Sequence, residues 1–238
     1  RGEKYGCGKP DCKPGCDCDR YMEIWNNVFS QFNNDGNGNY TELAQKNIDT
    51  GMGLERLACV MQGVDSMFDV DTIQNIISAI SEKAGIKYRE NEKADISMRI
   101  IADHMRASSF LIADGVMPSN EGRGYVLRRL IRRACRHGRL LGIKGAFLDD
   151  IIKVVAHENK SAYPMLTEKL DYICKIAGLE EERFSRTVES GMNLLENLMS
   201  AAEENGTNII SGADTFKLSD TYGFPIDLTR EIAGERGI

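Results

Sequence analysis

Three sets of residues in this chain have the types and spacing to do chemistry. The first is the run Asp49-Thr50-Gly51-Met52-Gly53-Leu54-Glu55-Arg56-Leu57, where two glycines stand directly before an amphipathic stretch that opens with Glu-Arg. Gly51 and Gly53 have no β-carbon, so a flat ligand can lie against the backbone. Arg56, one turn into the expected helix, can reach a phosphate or stack its guanidinium on a base. The second set is Cys7, Cys12, Cys16 and Cys18, four thiols in a loop of Gly and Pro turns. In a reducing compartment such thiolates point to tetrahedral Zn²⁺ more than to disulfides, although their spacing is not the paired C-x2-C of zinc ribbons.

The third set is a cluster of arginines. Between Glu121 and Lys144 stand eight Lys/Arg and one acid, a net +7 that leaves −13 on the rest of a chain whose total is −6. With Arg128 at 0° on a helical wheel, Arg139, Arg132, Arg136, Arg129 and Arg133 fall within ~20–140°, at ~100° per residue. Leu130, Leu141, Ala134, Leu127 and Ile131 fall between ~200° and 300°. Like charges on one face repel. Either a polyanion relieves that repulsion or acids of the same protein do. Arginine rather than lysine favours phosphate, which its planar fork grips with two hydrogen bonds. Phosphate contacts position a nucleic acid without identifying it, and Asn120, in the loop feeding this helix, is a neutral group able to read a base.

The elements that must position these groups follow from pattern. Residues 21–32 are rich in aromatic and β-branched types and read as a strand, Asn33 to Asn39 as a reversal, and Thr41 to Asp49 as a return toward the glycines. Helices are expected at 54–62 and at about 70–84, with Ile73, Ile76, Ile77 and Ile80 on one face. The character of the chain changes near Tyr88–Lys93, after which every segment has helical period. Asp95 or Ser97 is expected to cap a helix ending at Gly115. Further helices are expected at about 147–159, 163–177 and 179–204, the last carrying Val188, Leu194, Leu195 and Leu198. Two short helices broken at Tyr222 to Pro225 follow, the second capped by Asp227. The domains so predicted are 1–90 and 91–238.

No apolar run approaches the ~20 residues of a membrane span. Arg1-Gly2-Glu3-Lys4 has no signal-peptide character, and with no initiator Met the chain reads as the interior of a longer protein. Seven cysteines are an odd count. Cys59, Cys135 and Cys174 sit singly in helical patterns like small buried apolar residues, which together with the loop favours a reducing cytoplasm.

Strand, loop, Gly-x-Gly-x-Glu-Arg, helix is the order of the third signature motif of class II aminoacyl-tRNA synthetases. Glu23-Ile24-Trp25-Asn26, Val28-Phe29 and Gln31-Phe32 followed by 49–57 resemble the alanyl-tRNA synthetases, and residues 103–142 resemble the tRNA-recognition region of that family. The resemblance implies an α+β fold in which the remnant of an antiparallel class II sheet, the C-terminal part of a catalytic domain, precedes an all-α tRNA-recognition domain. It places ATP, with Mg²⁺, against Gly51, Gly53, Arg56 and Glu23, the amino group of alanine on Asp49, and a small alanine pocket at Asn26 and Val28, for which strand packing is the competing reading. It places the acceptor-stem G·U pair of tRNA(Ala) on Asn120 and on Asp220, the first Asp of the family-like run Asp220-Thr221-Tyr222-Gly223-Phe224-Pro225, while the charge pattern itself puts the phosphates on Arg123, Arg128, Arg129, Arg132, Arg133 and Arg136. Without it, Asn120 is a turn residue and Asp220 a surface carboxylate.

The implied reaction is attachment of alanine to tRNA through alanyl-adenylate. The family's first two motifs are not found here, so the chain alone is expected to be inactive. A non-catalytic RNA-binding module is the alternative, and a DNA-binding helix-turn-helix is a third reading that the basic helix alone permits; neither DNA nor membrane is expected as a partner. His104 and His137 are expected to serve packing or RNA contact rather than metal.

Overall fold

The strand expected at 21–32 begins later than its composition suggests, because the main chain at 23–24 is used elsewhere. The Glu23 carbonyl accepts from Arg56 Nη1 at 2.7 Å and the Ile24 carbonyl from Gly53 N at 3.0 Å. In the computed structural model, which describes residues 1–222 and 224–238 except the side chains of 187–190, β1 is therefore Trp25–Asn34. It pairs antiparallel with β2, Tyr40–Met52. The reversal between them is organised by Asp35, whose Oδ1 accepts from Asn37 N at 2.7 Å and Asn39 N at 3.2 Å. Gly36 and Gly38 supply the positive φ values, 83° and 91°, that the turn requires.

The helix α1, Leu54–Gln62, starts at Gly53 and stops at Gly63, which takes the left-handed conformation. The next helix, α2, is Asp71–Ala84. The chain forms two compact units, Arg1–Gln74 and Asn75–Ile238. That division falls inside α2, whereas the change of composition falls near 88–93; a helix that runs on unbroken shows no compositional seam.

The second unit is all helical: α3 Glu92–Ala113, α4 Gly122–Leu140, α5 Leu148–Asn159, the single turn α6 Met165–Glu168, α7 Leu170–Glu204, α8 Gly212–Asp220 and α9 Ile226–Glu235. The long helices pack α3 on α4 and α5, with α7 running along all three. Met98, Ile101, Met105, Leu127, Ile131, Ile151, Ile152 and Leu195 are buried between them, at ~1.5–3 kcal/mol of transfer free energy each. The α+β class holds.

Several local expectations are corrected. Asn91, not Asp95 or Ser97, caps α3, accepting from Ala94 N at 3.1 Å; Asp95 instead accepts from Arg89 N at 2.7 Å. The helices expected at 163–177 and 179–204 are joined from Leu170 to Glu204 as one continuous α7, which passes through Gly178, while 165–168 form the separate turn α6. Pro225 occupies the position before α9, and Asp227 lies within its first turn. The side chain of Val188, and Gly223 as a whole, lie outside what the structure describes. Among the described residues no helix is long and apolar enough to cross a membrane.

Candidate functional site

The hairpin register sorts the candidate residues of the first unit onto one surface. Asn26 pairs with Gly51 and Val28 with Asp49, and because side chains alternate along a strand, all four share one face. The opposite face carries Trp25, Phe29, Ile48 and Met52, all exposed. One side of the ribbon thus carries the carboxylate, the amide and the bare glycine backbone, and the other carries large apolar side chains around the Asn27–Thr50 pair. Glu23 joins the polar side through its Oε2, 3.4 Å from Asn26 Nδ2.

The two glycines have different work. A β-carbon on Gly51 would meet nothing within 4 Å, so the surface beside it is open to a ligand. A β-carbon on Gly53 would lie 3.1 Å from Arg56 Cδ and 3.3 Å from its Cγ, so this glycine makes room for the arginine folding back over it. With one Nη on the Glu23 carbonyl, the exposed guanidinium is held in place across the strand end. This arrangement can orient a polyphosphate without spending a proton.

In the second unit, Asn120 and Asp220 line one cleft of about 530 Å³ together with Tyr125, Arg128 and Arg129. They come from different elements, Asn120 from the loop before α4 and Asp220 from the last residue of α8. Asn120 Oδ1 accepts from Arg128 Nη1. Arginine has only donors, so the amide oxygen must face it and the Nδ2 hydrogens are left for a ligand. Asp220 offers acceptors alone. The cleft therefore presents a donor and an acceptor at separate points.

The arginine face of α4 does not stand as one free cationic ridge. Arg132 Nε reaches Oε1 of the buried Glu180 of α7 at 2.6 Å, and Arg128 Nε lies 3.4 Å from the same oxygen. Arg136 is 8% exposed and binds Glu231 at 3.0 Å and Glu235 at 2.7 Å. Arg133 meets Glu231 at 3.1 Å. Acids of the same protein answer much of this charge. Arg129 differs: it is 50% exposed, 3.6 Å from Asp227, and lines both the Asn120 cleft and a neighbouring one of about 480 Å³ shared with His104, Arg133 and Glu231. Arg123 is exposed, with no ion pair recorded for it among the described residues.

Sequence reasoning missed residues that hold the cleft and the helices around it in shape. A β-carbon on Gly124 would come within 2.2 Å of Ser119 Oγ and 2.3 Å of the Met117 carbonyl, so Gly124 lets the loop carrying Asn120 lie on α4. Tyr125 donates its hydroxyl to Asp227, whose carboxylate pushes the phenol pKa up. Glu181 caps α5 from α7, accepting from Phe147 N at 3.0 Å and Leu148 N at 3.4 Å, and its burial raises its pKa. A helix-terminal carboxylate supplied from another helix leaves no local signature in sequence. His104 is buried with Nδ1 3.0 Å from Asp103 Oδ2 and also lines the cleft beside Arg129, and His137 is buried with Nδ1 3.0 Å from Ser97 Oγ.

The four thiols of the N-terminal loop converge. Their sulfurs all lie within 4.8 Å of one another, with Cys7 to Cys16 and Cys12 to Cys18 at 3.7 Å each. Cys59 and Cys135 are buried and single, as their patterns predict, whereas Cys174 of α7, expected to be buried with them, is only half-buried.

Comparison with known proteins places this geometry in a family context. The whole chain, residues 1–238, matches the family described as tRNA synthetases class II (A). It is 59% identical over 235 residues to an alanine–tRNA ligase of Clostridioides difficile, covering 99% of this chain and 27% of that protein. It is 57% identical over 237 residues to alanine–tRNA ligase 1 of Lachnoclostridium phytofermentans and 54% identical over 237 residues to an alanine–tRNA ligase of Natranaerobius thermophilus, covering all of this chain and 27% of each relative. The chain thus spans about a quarter of the length of these relatives.

Proposed function

The chain belongs to the class II (A) tRNA synthetases, and on that premise we propose that it is the part of an ATP-dependent alanine–tRNA ligase that completes the nucleotide floor and reads the tRNA acceptor stem. The observation that carries the reading is the hairpin register, which gathers Asn26, Val28, Asp49 and Gly51 on one open face beside the Arg56 turn.

The chemistry fits residues that hold and orient rather than residues that move protons. The alanine carboxylate attacks the α-phosphorus of ATP and pyrophosphate leaves; the terminal tRNA hydroxyl then attacks the mixed anhydride and AMP leaves. Arg56 meets the adenine face and the phosphates. Asp49 takes the alanine ammonium, while Asn26 and Val28 bound a small pocket. Rejecting glycine or serine by such a pocket alone is limited to ~1–3 kcal/mol. Glu23, exposed beside Asn26, fits a contact to the Mg²⁺ that neutralises the polyphosphate.

Asn120 and Asp220 read the G·U pair. A wobble pair leaves the guanine 2-amino group unpaired in the shallow minor groove, where Asp220 accepts from it and Asn120 supplies the donor. Arg123 and Arg129 face the phosphates, with Arg128 and Arg133 at the cleft margins. Arg132 and Arg136 act through the scaffold, since their guanidinium groups are committed to Glu180, Glu231 and Glu235.

The test is alanine-dependent exchange of pyrophosphate into ATP by the full-length protein, followed by charging of hairpins carrying G·U or G·C. Exchange with alanine and preference for G·U support the reading. RNA binding without exchange would instead identify a non-catalytic RNA-binding module. Preference for duplex DNA over the G·U hairpin would overturn the RNA assignment altogether.

A further inference from the structure

None of residues 1–24 is buried, so no apolar core orders the loop that leads into β1. Two turns instead aim the thiols inward. Cys12 N donates to the Lys9 carbonyl at 3.2 Å across Pro10, and Cys16 N donates to the Lys13 carbonyl at 3.0 Å across Pro14-Gly15. Gly15 has φ 92°, the positive value that a proline-led type II turn demands at its third residue. Each turn thus delivers a cysteine at its fourth residue, which is what the uneven spacing of the four thiols encodes.

The resulting distances match a metal. Sulfurs bound tetrahedrally to Zn²⁺ at ~2.3 Å stand ~3.8 Å apart. Here Cys7–Cys16 and Cys12–Cys18 are at 3.7 Å and every pair is within 4.8 Å. Four sulfurs and no other ligand make a closed site, which is structural rather than catalytic.

What such a site would hold in place is visible along the chain. Cys18 leads directly into residues 20–24, where the Glu23 and Ile24 carbonyls anchor Arg56 and Gly53. We propose that Cys7, Cys12, Cys16 and Cys18 hold one Zn²⁺ as a tetrathiolate, and that this ion is the cross-link fixing residues 20–24 against the Gly53–Arg56 turn. The metal assignment stands on the thiol geometry alone; its consequence for ATP rests on the nucleotide reading given above.

The experiment compares full-length wild-type protein, purified without chelator, with a Cys12→Ser/Cys18→Ser variant and a Cys174→Ser control. Elemental analysis is expected to find one zinc equivalent fewer in the double variant and no change in the control. After cobalt exchange, the difference spectrum between wild type and double variant is expected to show thiolate-to-cobalt charge transfer and tetrahedral ligand-field bands. Zinc affinity should fall by at least ~10–100-fold, the loss that even outer partners of a metal ligand produce. Amide exchange at 20–24 and 53–57 should accelerate severalfold, while α3 and α4 stay protected and report that the remainder is folded. Equal zinc content, or recovery of the four thiols as two disulfides by mass spectrometry, overturns the site. Unchanged exchange at 20–24 after zinc loss overturns the cross-link. Weak ATP binding with zinc and exchange protection intact counts against the nucleotide reading, not against the metal.

Discussion

Phe224 rests on Gly191 so closely that a β-carbon there would stand 2.4 Å from its Cδ2 and 2.9 Å from its Cγ. The ring is fully buried, and Phe224 N donates to the Leu218 carbonyl at 2.9 Å, closing the end of α8. Asp220 lies between these two anchors. The seat of Phe224 on α7 therefore sets where the acidic side of the cleft stands. Gly191→Ala is expected to lower stability by ~1–3 kcal/mol, the usual cost of overpacking a core, and to blunt G·U discrimination. Denaturant unfolding and relative charging of G·U and G·C hairpins measure the two; a variant with full selectivity would break the link.

The amide side of the cleft has its own glycine. Since a β-carbon on Gly124 would strike the Met117 carbonyl, which is backbone and cannot rotate away, Gly124→Ala should lift the loop that carries Asn120. Its RNA phenotype should match that of Asn120→Ala and Asp220→Ala: loss of preference for G·U with ATP affinity unchanged. If Asn120→Ala charges G·U and G·C stems in the wild-type ratio, Asn120 does not read the pair.

The helical wheel of α4 was correct about its apolar side and misleading about its polar one. Leu127, Ile131 and Ala134 are fully buried, as their angles require, while Leu130 at the edge of the arc is half-buried beside the cleft of Arg129. A wheel gives the direction of a side chain but not what stands opposite. The acids that meet the arginines, Glu180, Glu231 and Glu235, lie far along the chain on α7 and α9. The continuity of α7 was hidden for a related reason. Glycine costs an exposed helix ~1 kcal/mol relative to alanine, but α7 packs along α3, α4 and α5, and that packing outweighs the propensity of Gly178. The hairpin was more legible because its reversal, its glycines and its alternating pattern are all local.

The same distinction predicts opposite phenotypes within one arginine cluster. Arg123→Ala should weaken RNA binding across sequences and reduce the slope of log affinity against log salt by ~0.7–0.9, the loss of one phosphate contact. Arg136→Ala should instead destabilise the fold by ~1.5–3 kcal/mol, because it removes a nearly buried guanidinium whose charged hydrogen bonds tie Glu231 and Glu235 of α9 to α4. Salt titrations and urea unfolding of both variants separate the roles. A salt slope reduced by Arg136→Ala at unchanged stability would return that residue to the interface.

Glu231 gives the docking of α9 an acid limit. The His137 imidazole, with Nε2 3.7 Å from the Glu231 carboxylate, and Arg133 and Arg136 beside it hold its pKa down to about 2 from an ordinary 4.5. A carboxylate whose folded pKa is depressed contributes stability that is complete above the ordinary value and disappears as pH falls through the folded one. The stability difference between wild type and Glu231→Gln should therefore be constant near neutrality, begin to shrink as pH drops below about 4.5 and vanish toward about 2. Urea unfolding across that range measures it; a difference independent of pH would mean that Glu231 stabilises by shape rather than charge. Glu231 also lines the cleft beside Arg129, so the packing of that cleft should loosen over the same acid window. It should do so earlier in Arg133→Ala, where the carboxylate has lost one of the cations that keep it ionised.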